Sequence, residues 1–254
     1  MRFDELDARL RVFETAHDHC ALPGLYLVAR LDGRNFTRLT KEEHDFERPF
    51  DVRFRDLMVG TVQHLMQCGF RVRYGYTESD EISLLLDPGE DAFGRKLRKY
   101  QSILAGEASA KFSLLLGSMG TFDCRVAQLP RPLDVVDYFR WRAEDAFRNA
   151  LNAHCYWQLR NEGQTRAAAT KEVSGLSTAA KNELLFQRGI NFNNLPAWQK
   201  RGLGLYWRNE LREGFNPLKN EPTQVVRRGL HTDFELPMGA PYDAFIQALL
   251  SAAE

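Results

Sequence analysis

The sequence predicts an α+β fold: a ferredoxin-like βαββαβ sheet, then a mostly helical second half. Three observations carry that prediction. Residues 25–31, 70–76, 82–86 and 122–129 read as strands. Helical periodicity at 54–66 and 93–116 separates them in the order strand, helix, strand, strand, helix, strand. Beyond Pro130 and Pro132 the strand signals give way to helical spacing. This divides the chain into a sheet-bearing domain at residues 1–130 and a helical region at 131–254.

Phe3, Leu6, Leu10 and Phe13 fall at helical spacing, so residues 4–15 are expected to be a helix. Pro23-Gly24 punctuates the chain before the apolar run Leu25–Leu31, which has the length of a buried central strand. Asp32-Gly33-Arg34-Asn35-Phe36 follows as a turn, then a charged loop to residue 50. Phe54, Leu57, Met58, Thr61, Val62, Leu65 and Met66 trace one helix face, ended by Gly69. Phe70, Val72, Tyr74 and Tyr76 alternate with Arg71 and Arg73 as in a half-exposed strand, and residues 80–86 form its hairpin partner. Ile103, Leu104, Ala108, Phe112, Leu115 and Leu116 point the second helix inward, and Phe122–Leu129 is the fourth strand.

In the second half, residues 134–161 read as a helix and Ser177 as the N-cap of a short helix through Phe186. Asn191–Pro196 is a loop, Leu203–Trp207 a strand, and 209–239 a polar, partly mobile stretch. Residues 241–253 are expected to form a last helix.

A net charge of +0 removes the polycation class, so any nucleic acid must bind through a local basic patch. Arg140, Arg142, Arg148, Arg160, Arg166, Lys171, Arg227 and Arg228 are candidates for one, or ordinary surface. Four cysteines without a C-x-x-C pair point to free thiols and a cytoplasmic setting. No apolar run suits a membrane span, and the acidic N-terminus is unlike a leader. His17-Asp18-His19-Cys20 lacks a second ligand pair at zinc spacing.

The split topology puts the first and third strands side by side. Asp32 and Asp80, nearly fifty residues apart, then meet at one end of the sheet. Two carboxylates and the Gly33 carbonyl, with Glu81 as an auxiliary, suit Mg²⁺, which keeps places for substrate phosphates. Ordinary turn chemistry accounts for the same residues. Arg34, Arg38, Lys41, His44 and Arg48 supply the opposite sign, as a nucleoside triphosphate needs. The layout is shared with the palm of nucleotide polymerases and cyclases, an analogy of fold only.

Three stretches in the first half, Leu31–Phe36, His44–Asp51 and Tyr74–Glu81, together resemble the tRNA-His guanylyltransferase family. Phe122–Val126, Asp137–Arg142, Lys181–Phe186 and Gly189–Asn193 extend the likeness, in order, to about residue 207. The resemblance implies a nucleotidyltransferase that extends tRNA in the 3′-to-5′ direction. Asp32, the Gly33 carbonyl and Asp80 would hold two Mg²⁺, with Glu81 beside them in the catalytic set. Arg34, Asn35, Phe36, Thr37 and Ser79 would join Asp32, Gly33 and Asp80 in contacting nucleotide, and His44 and Arg48 would contact phosphate. ATP and GTP, or other nucleoside triphosphates, are the implied substrates, tRNA the partner and a homotetramer the assembly. Arg142, Arg148, Asn149, Lys181 and Asn182 are RNA-binding candidates.

One departure decides between branches. The tRNA-His-specific branch carries His-Ile-Asn-Asn where this chain has Phe147-Arg148-Asn149-Ala150. The sequence therefore looks more like the branch that adds templated nucleotides to 5′-truncated tRNAs, with dedicated addition of G−1 to tRNA-His as the alternative. A nucleotidyl cyclase and a non-catalytic tRNA-binding module are the readings from other classes.

Overall fold

The computed structural model describes residues 2–216 and 220–251. Helix α1 (Phe3–Thr15) precedes strand β1 (Tyr26–Arg34). A short helix α2 (Phe36–Arg38) and one π-helical turn (Leu39–Glu43) lead to α3 (Val52–Leu65). The hairpin β2 (Val72–Glu78) and β3 (Glu81–Leu86) is followed by α4 (Leu97–Leu116) and β4 (Thr121–Leu129). Then come α5 (Pro132–Asn161), α6 (Arg166–Val173), α7 (Thr178–Phe186) and α8 (Ala197–Arg201). The chain closes with β5 (Leu203–Asn216), β6 (Glu221–Asp233) and α9 (Ala240–Ser251).

The strands form one six-stranded antiparallel sheet in the order β4-β1-β3-β2-β5-β6. β1 therefore lies between β3 and β4, as the sequence predicts. Leu27, Ala29 and Leu31 turn toward α3 and α4, whose Met58, Val62, Leu65, Leu104 and Phe112 complete that core. Val28 and Leu85 face the other way, onto Val135, Val136 and Phe139 of α5 and Ile246 of α9. Alternation along β1 thus feeds two cores, which is why its stretch Leu27–Ala29 is apolar on both faces. A third cluster joins Leu151, Cys155 and Leu159 of α5 to α6 and α7.

Three expectations change. β2 is not half-exposed: a register shift between Val72 and Tyr74 sends Val72 into the α3–α4 core and Tyr74 and Tyr76 into the α5–α9 core. The bulge breaks the face alternation that simple period-two reading assumes. The second half, though rich in helix, returns two strands to the sheet. β5 docks beside β2 where Gly202, at φ +73°, lies so close that a Cβ would come within 2.6 Å of the Thr77 carbonyl. From Asn209 the chain forms the ribbon β5–β6, with Asn209 opposite Arg228 and Leu211 opposite Val226. Most of β6 is exposed, so neither face needs an apolar stripe and the ribbon carries little strand signal. Helix α6, capped by the Thr165 hydroxyl accepting from the Ala168 amide, was not foreseen. The last helix ends at Ser251; residues 252 and 253 of its expected span lie outside the described residues.

Candidate active site

β1 stays extended through Arg34, so Asp32 and Gly33 sit inside the strand rather than in a turn; the chain turns at Asn35, at φ 62°. Pairing on both edges holds it so. Asp32 stands opposite Glu81 on β3 and opposite Asp123 on β4. Asp80 occupies the hairpin turn after Ser79, whose φ of 47° is unusual for a residue with a side chain and marks a strained turn. The turn is closed by the Thr77 hydroxyl donating to the Glu81 carbonyl at 2.8 Å. The Gly33 amide donates to the Asp80 carbonyl at 3.0 Å, so the two acid-bearing segments are joined directly. A Cβ at Gly33 would come within 2.6 Å of the Phe36 ring, so glycine is what lets β1 pass over that ring.

The carboxylates here differ sharply in their partners. Asp32 has Arg30 at 3.8 Å and Arg125 at 3.9 Å, both beyond hydrogen-bonding range. Asp80 is held above the usual carboxylate range by burial and by the charge of Asp32, against a hydrogen bond from Ser79. Glu78 is pushed up to about 8 by burial and by Glu81. Glu81 is also raised by burial, opposed by Arg142 and Arg30. A cation between Asp32 and Asp80 would relieve their mutual repulsion. Among the described residues no group of three or more His, Cys, Asp or Glu forms a metal cage. Two carboxylates that leave room for substrate oxygens are the donor set Mg²⁺ accepts.

A cleft opens beside the turn. Thr37, Thr40, Lys41, Ser79, Asp80, Asn149 and Trp157 line it. It adjoins a second hollow lined by Arg48, Asp51, Arg55 and Trp198. The Arg48 guanidinium donates to the carbonyls of Thr40 and Lys41 at 3.2 and 2.8 Å and lies 4.8 Å from the Trp157 ring centroid. Asp51 is held near 2 by Arg53 and by the amides of Glu47 and Arg53, so it stays ionised.

Not every expected residue reaches the cleft. Phe36 borders the cleft but is 2% exposed and packs against Phe112 and Phe122 at 4.9 and 5.0 Å, so most of its ring belongs to the core. His44 lines a separate depression and hydrogen-bonds Ser118 at 3.0 Å. Arg38 pairs with Glu43 at 3.1 Å, and Arg34 is exposed at the end of β1. Of the basic loop, Lys41 lines both the cleft and the adjoining hollow, and Arg48 lines the hollow. Asn182 bonds back to the Thr178 carbonyl on α7, and the Lys181 carbonyl accepts from Cys155. Arg148 is exposed on α5.

Two assignments need correction. Arg142 is 3% exposed and grips Glu81 with Nε and Nη2 at 2.6 and 2.9 Å, so it offers nothing to an RNA surface. Glu81 is 7% exposed and also ion-paired to Arg30, so it does not point a free carboxylate into the cleft. Trp157 joins the cleft lining although its sequence context reads as helix core.

A family model described as tRNAHis guanylyltransferase matches residues 7–130, and one described as the Thg1 C-terminal domain matches 133–232. A probable tRNA(His) guanylyltransferase of Drosophila melanogaster is 34% identical over 195 residues, 73% of this chain and 68% of its own. The tRNA(His) guanylyltransferase of Debaryomyces hansenii is 31% identical over 221 residues, 82% and 83% of the two chains. Among solved structures, the Saccharomyces cerevisiae tRNA(His) guanylyltransferase superposes with a TM-score of 0.70 at 27% identity, over 77% of this chain and 91% of its own. A bacterial tRNA(His) guanylyltransferase (Thg1)-like protein, in complex with ATP, shares the fold with a TM-score of 0.74 at 23% identity, over 97% and 100%.

Proposed function

The chain belongs to the tRNA-His guanylyltransferase family, whose members are nucleotidyltransferases, and from that premise we propose that it adds a guanylate to the 5′ end of tRNA-His in the 3′-to-5′ direction. The observation that supports the chemistry is the bond from the Gly33 amide to the Asp80 carbonyl, which ties the strand carrying Asp32 to the acidic turn lining the cleft. The names of the relatives favour the tRNA-His substrate.

In this reading ATP first activates the RNA 5′-monophosphate: the phosphate attacks the α-phosphorus, pyrophosphate leaves and a 5′-adenylylated end forms. The 3′-OH of GTP then attacks that activated phosphate and AMP leaves. Mg²⁺ bound by Asp32, Asp80 and the Gly33 carbonyl would supply charge neutralisation at the reacting phosphates. Lys41 and Arg48 hold the triphosphate, Thr37 and Ser79 contact the nucleotide, and Trp157 walls it in. The sheet with α3 and α4 serves as a palm.

Templated repair of 5′-truncated tRNAs is a second reading, and one observation favours it. Phe147 packs on Phe192 at 5.3 Å and Ala150 is 1% exposed, where the tRNA-His branch has His and Asn. Neither position offers the polar side chain that the tRNA-His branch has there.

The protein is incubated with Mg²⁺, ATP and GTP, with either tRNA-His ending at G+1 or tRNAs lacking their first nucleotide, and the 5′ ends are mapped. Single addition confined to tRNA-His supports the first reading, and extension of truncated tRNAs the second. No extension of either, beside an active control enzyme, sinks both.

A further inference from the structure

We infer that Arg142 is a positioning residue that withdraws Glu81 from cation coordination and leaves Asp32 and Asp80 as the carboxylate ligands. The inference rests on the reading of those two acids as the cation site. Position alone does not separate Glu81 from them, since it lies directly opposite Asp32 on the ladder and next to Asp80 in the chain. Its partners do. Arg142 takes both carboxylate oxygens in a fork, and Arg30 pairs with one of them as well. A carboxylate has about four acceptor directions, so little is left for a metal. The cations nearest Asp32, Arg30 and Arg125, stand 3.8 and 3.9 Å from its Oδ2, beyond hydrogen-bonding distance, and its side chain is 37% exposed.

The same guanidinium reaches Asp145 at 3.3 Å and lies 3.8 Å from Glu78. Asp145 in turn accepts from Asn149, at 3.4 Å, on the cleft wall. Arg142 therefore gathers three carboxylates under α5 and fixes that wall against the acidic turn. A planar fork suits the task; a lysine ammonium cannot reproduce it.

Mn²⁺ binding to the whole chain, followed by electron paramagnetic resonance without nucleotide, tests this. Wild type should bind Mn²⁺ at a site lost in Asp80→Asn. Arg142→Met leaves Glu81 with Arg30 on one oxygen only and should tighten binding by about fivefold or add an ion, the size expected for removing one nearby positive charge. The double variant Glu81→Gln/Arg142→Met removes both charges and should bind within about threefold of wild type, since neutral replacement of a buried pair is tolerated. A role in folding alone would lower the melting temperature and leave Mn²⁺ binding of the single variant unchanged; that outcome overturns the inference. So does a double variant that loses Mn²⁺ as Asp80→Asn does, because Glu81 is then itself a ligand. If Arg142→Met does not fold, the double variant decides. If wild type and Asp80→Asn bind equally little, the cation-site reading has failed, which is a separate result.

Discussion

The amide of Gly33 donates to the carbonyl oxygen of Asp80 at 3.0 Å, so the strand that carries one acid is fastened to the turn that carries the other. The bond is backbone to backbone and does not depend on either carboxylate. Substituting an acid should therefore change chemistry without releasing the turn.

Asp80→Asn is the direct case. The amide keeps the side chain's shape and removes its charge, and burial together with Asp32 already disfavours that charge. Both adenylylation and nucleotidyl transfer should fall by about 100-fold or more, the scale of losing a principal electrostatic stabiliser. The melting temperature should hold or rise. Single-turnover assays of each step, beside thermal unfolding, check this. Retained turnover at either step removes Asp80 from the shared site.

Gly33→Ala tests the backbone half. The new methyl would lie 2.6 Å from the Phe36 ring, which is itself wedged against Phe54, Phe112 and Phe122. Either β1 lifts, moving Asp32, or the ring shifts, at a cost of about 1–3 kcal/mol. Denaturant unfolding should show that loss with reduced activity. Phe36→Leu in the same chain should restore part of both. A double variant no better than Gly33→Ala means the clash is not the cause.

These two residues also show how far the sequence could be read. The strand order that brings Asp32 to Asp80 follows from periodicity, because apolar alternation is a local signal with a topological consequence. The partners of Glu81 do not follow. Arg142 lies sixty-one residues away on α5, and only the packing of that helix on the sheet reveals that it binds Glu81 rather than RNA. The basic loop misled for a related reason. Arg34, His44 and Arg48 are close in sequence, yet a short helix and one π turn send them in different directions. The ribbon beyond Asn209 escaped because most of β6 is exposed, and burial is what writes a strand into composition.

Arg48 should matter most among the loop cations. Two backbone carbonyls and the Trp157 face hold its guanidinium before any ligand arrives. Arg48→Ala should weaken GTP binding by about 10- to 100-fold, the worth of one or two charge-assisted hydrogen bonds. Arg48→Lys should recover only part of this, lacking the planar stack on Trp157. Calorimetric titration with GTP checks both. A lysine variant indistinguishable from wild type means that a point charge suffices there.

Glu78 gives the pH prediction. Its carboxyl is pushed up to about 8 in the folded chain, from an ordinary value of 4.5, chiefly by burial and then by Glu81. Between those values the folded state holds a proton that the unfolded state has released. Its contribution to stability is therefore fully present below about 4.5 and is lost as pH rises through about 8. The slope for one group cannot exceed about 1.4 kcal/mol per pH unit. Glu78→Gln mimics the protonated form, so it should flatten the pH dependence of unfolding in this window and be more stable than wild type at pH 8. The measurement is urea unfolding at a series of pH values in EDTA, which keeps cation binding at the neighbouring acids out of the comparison. Parallel profiles for the two proteins would show that Glu78 titrates near its ordinary value and that Arg142, at 3.8 Å, compensates its burial.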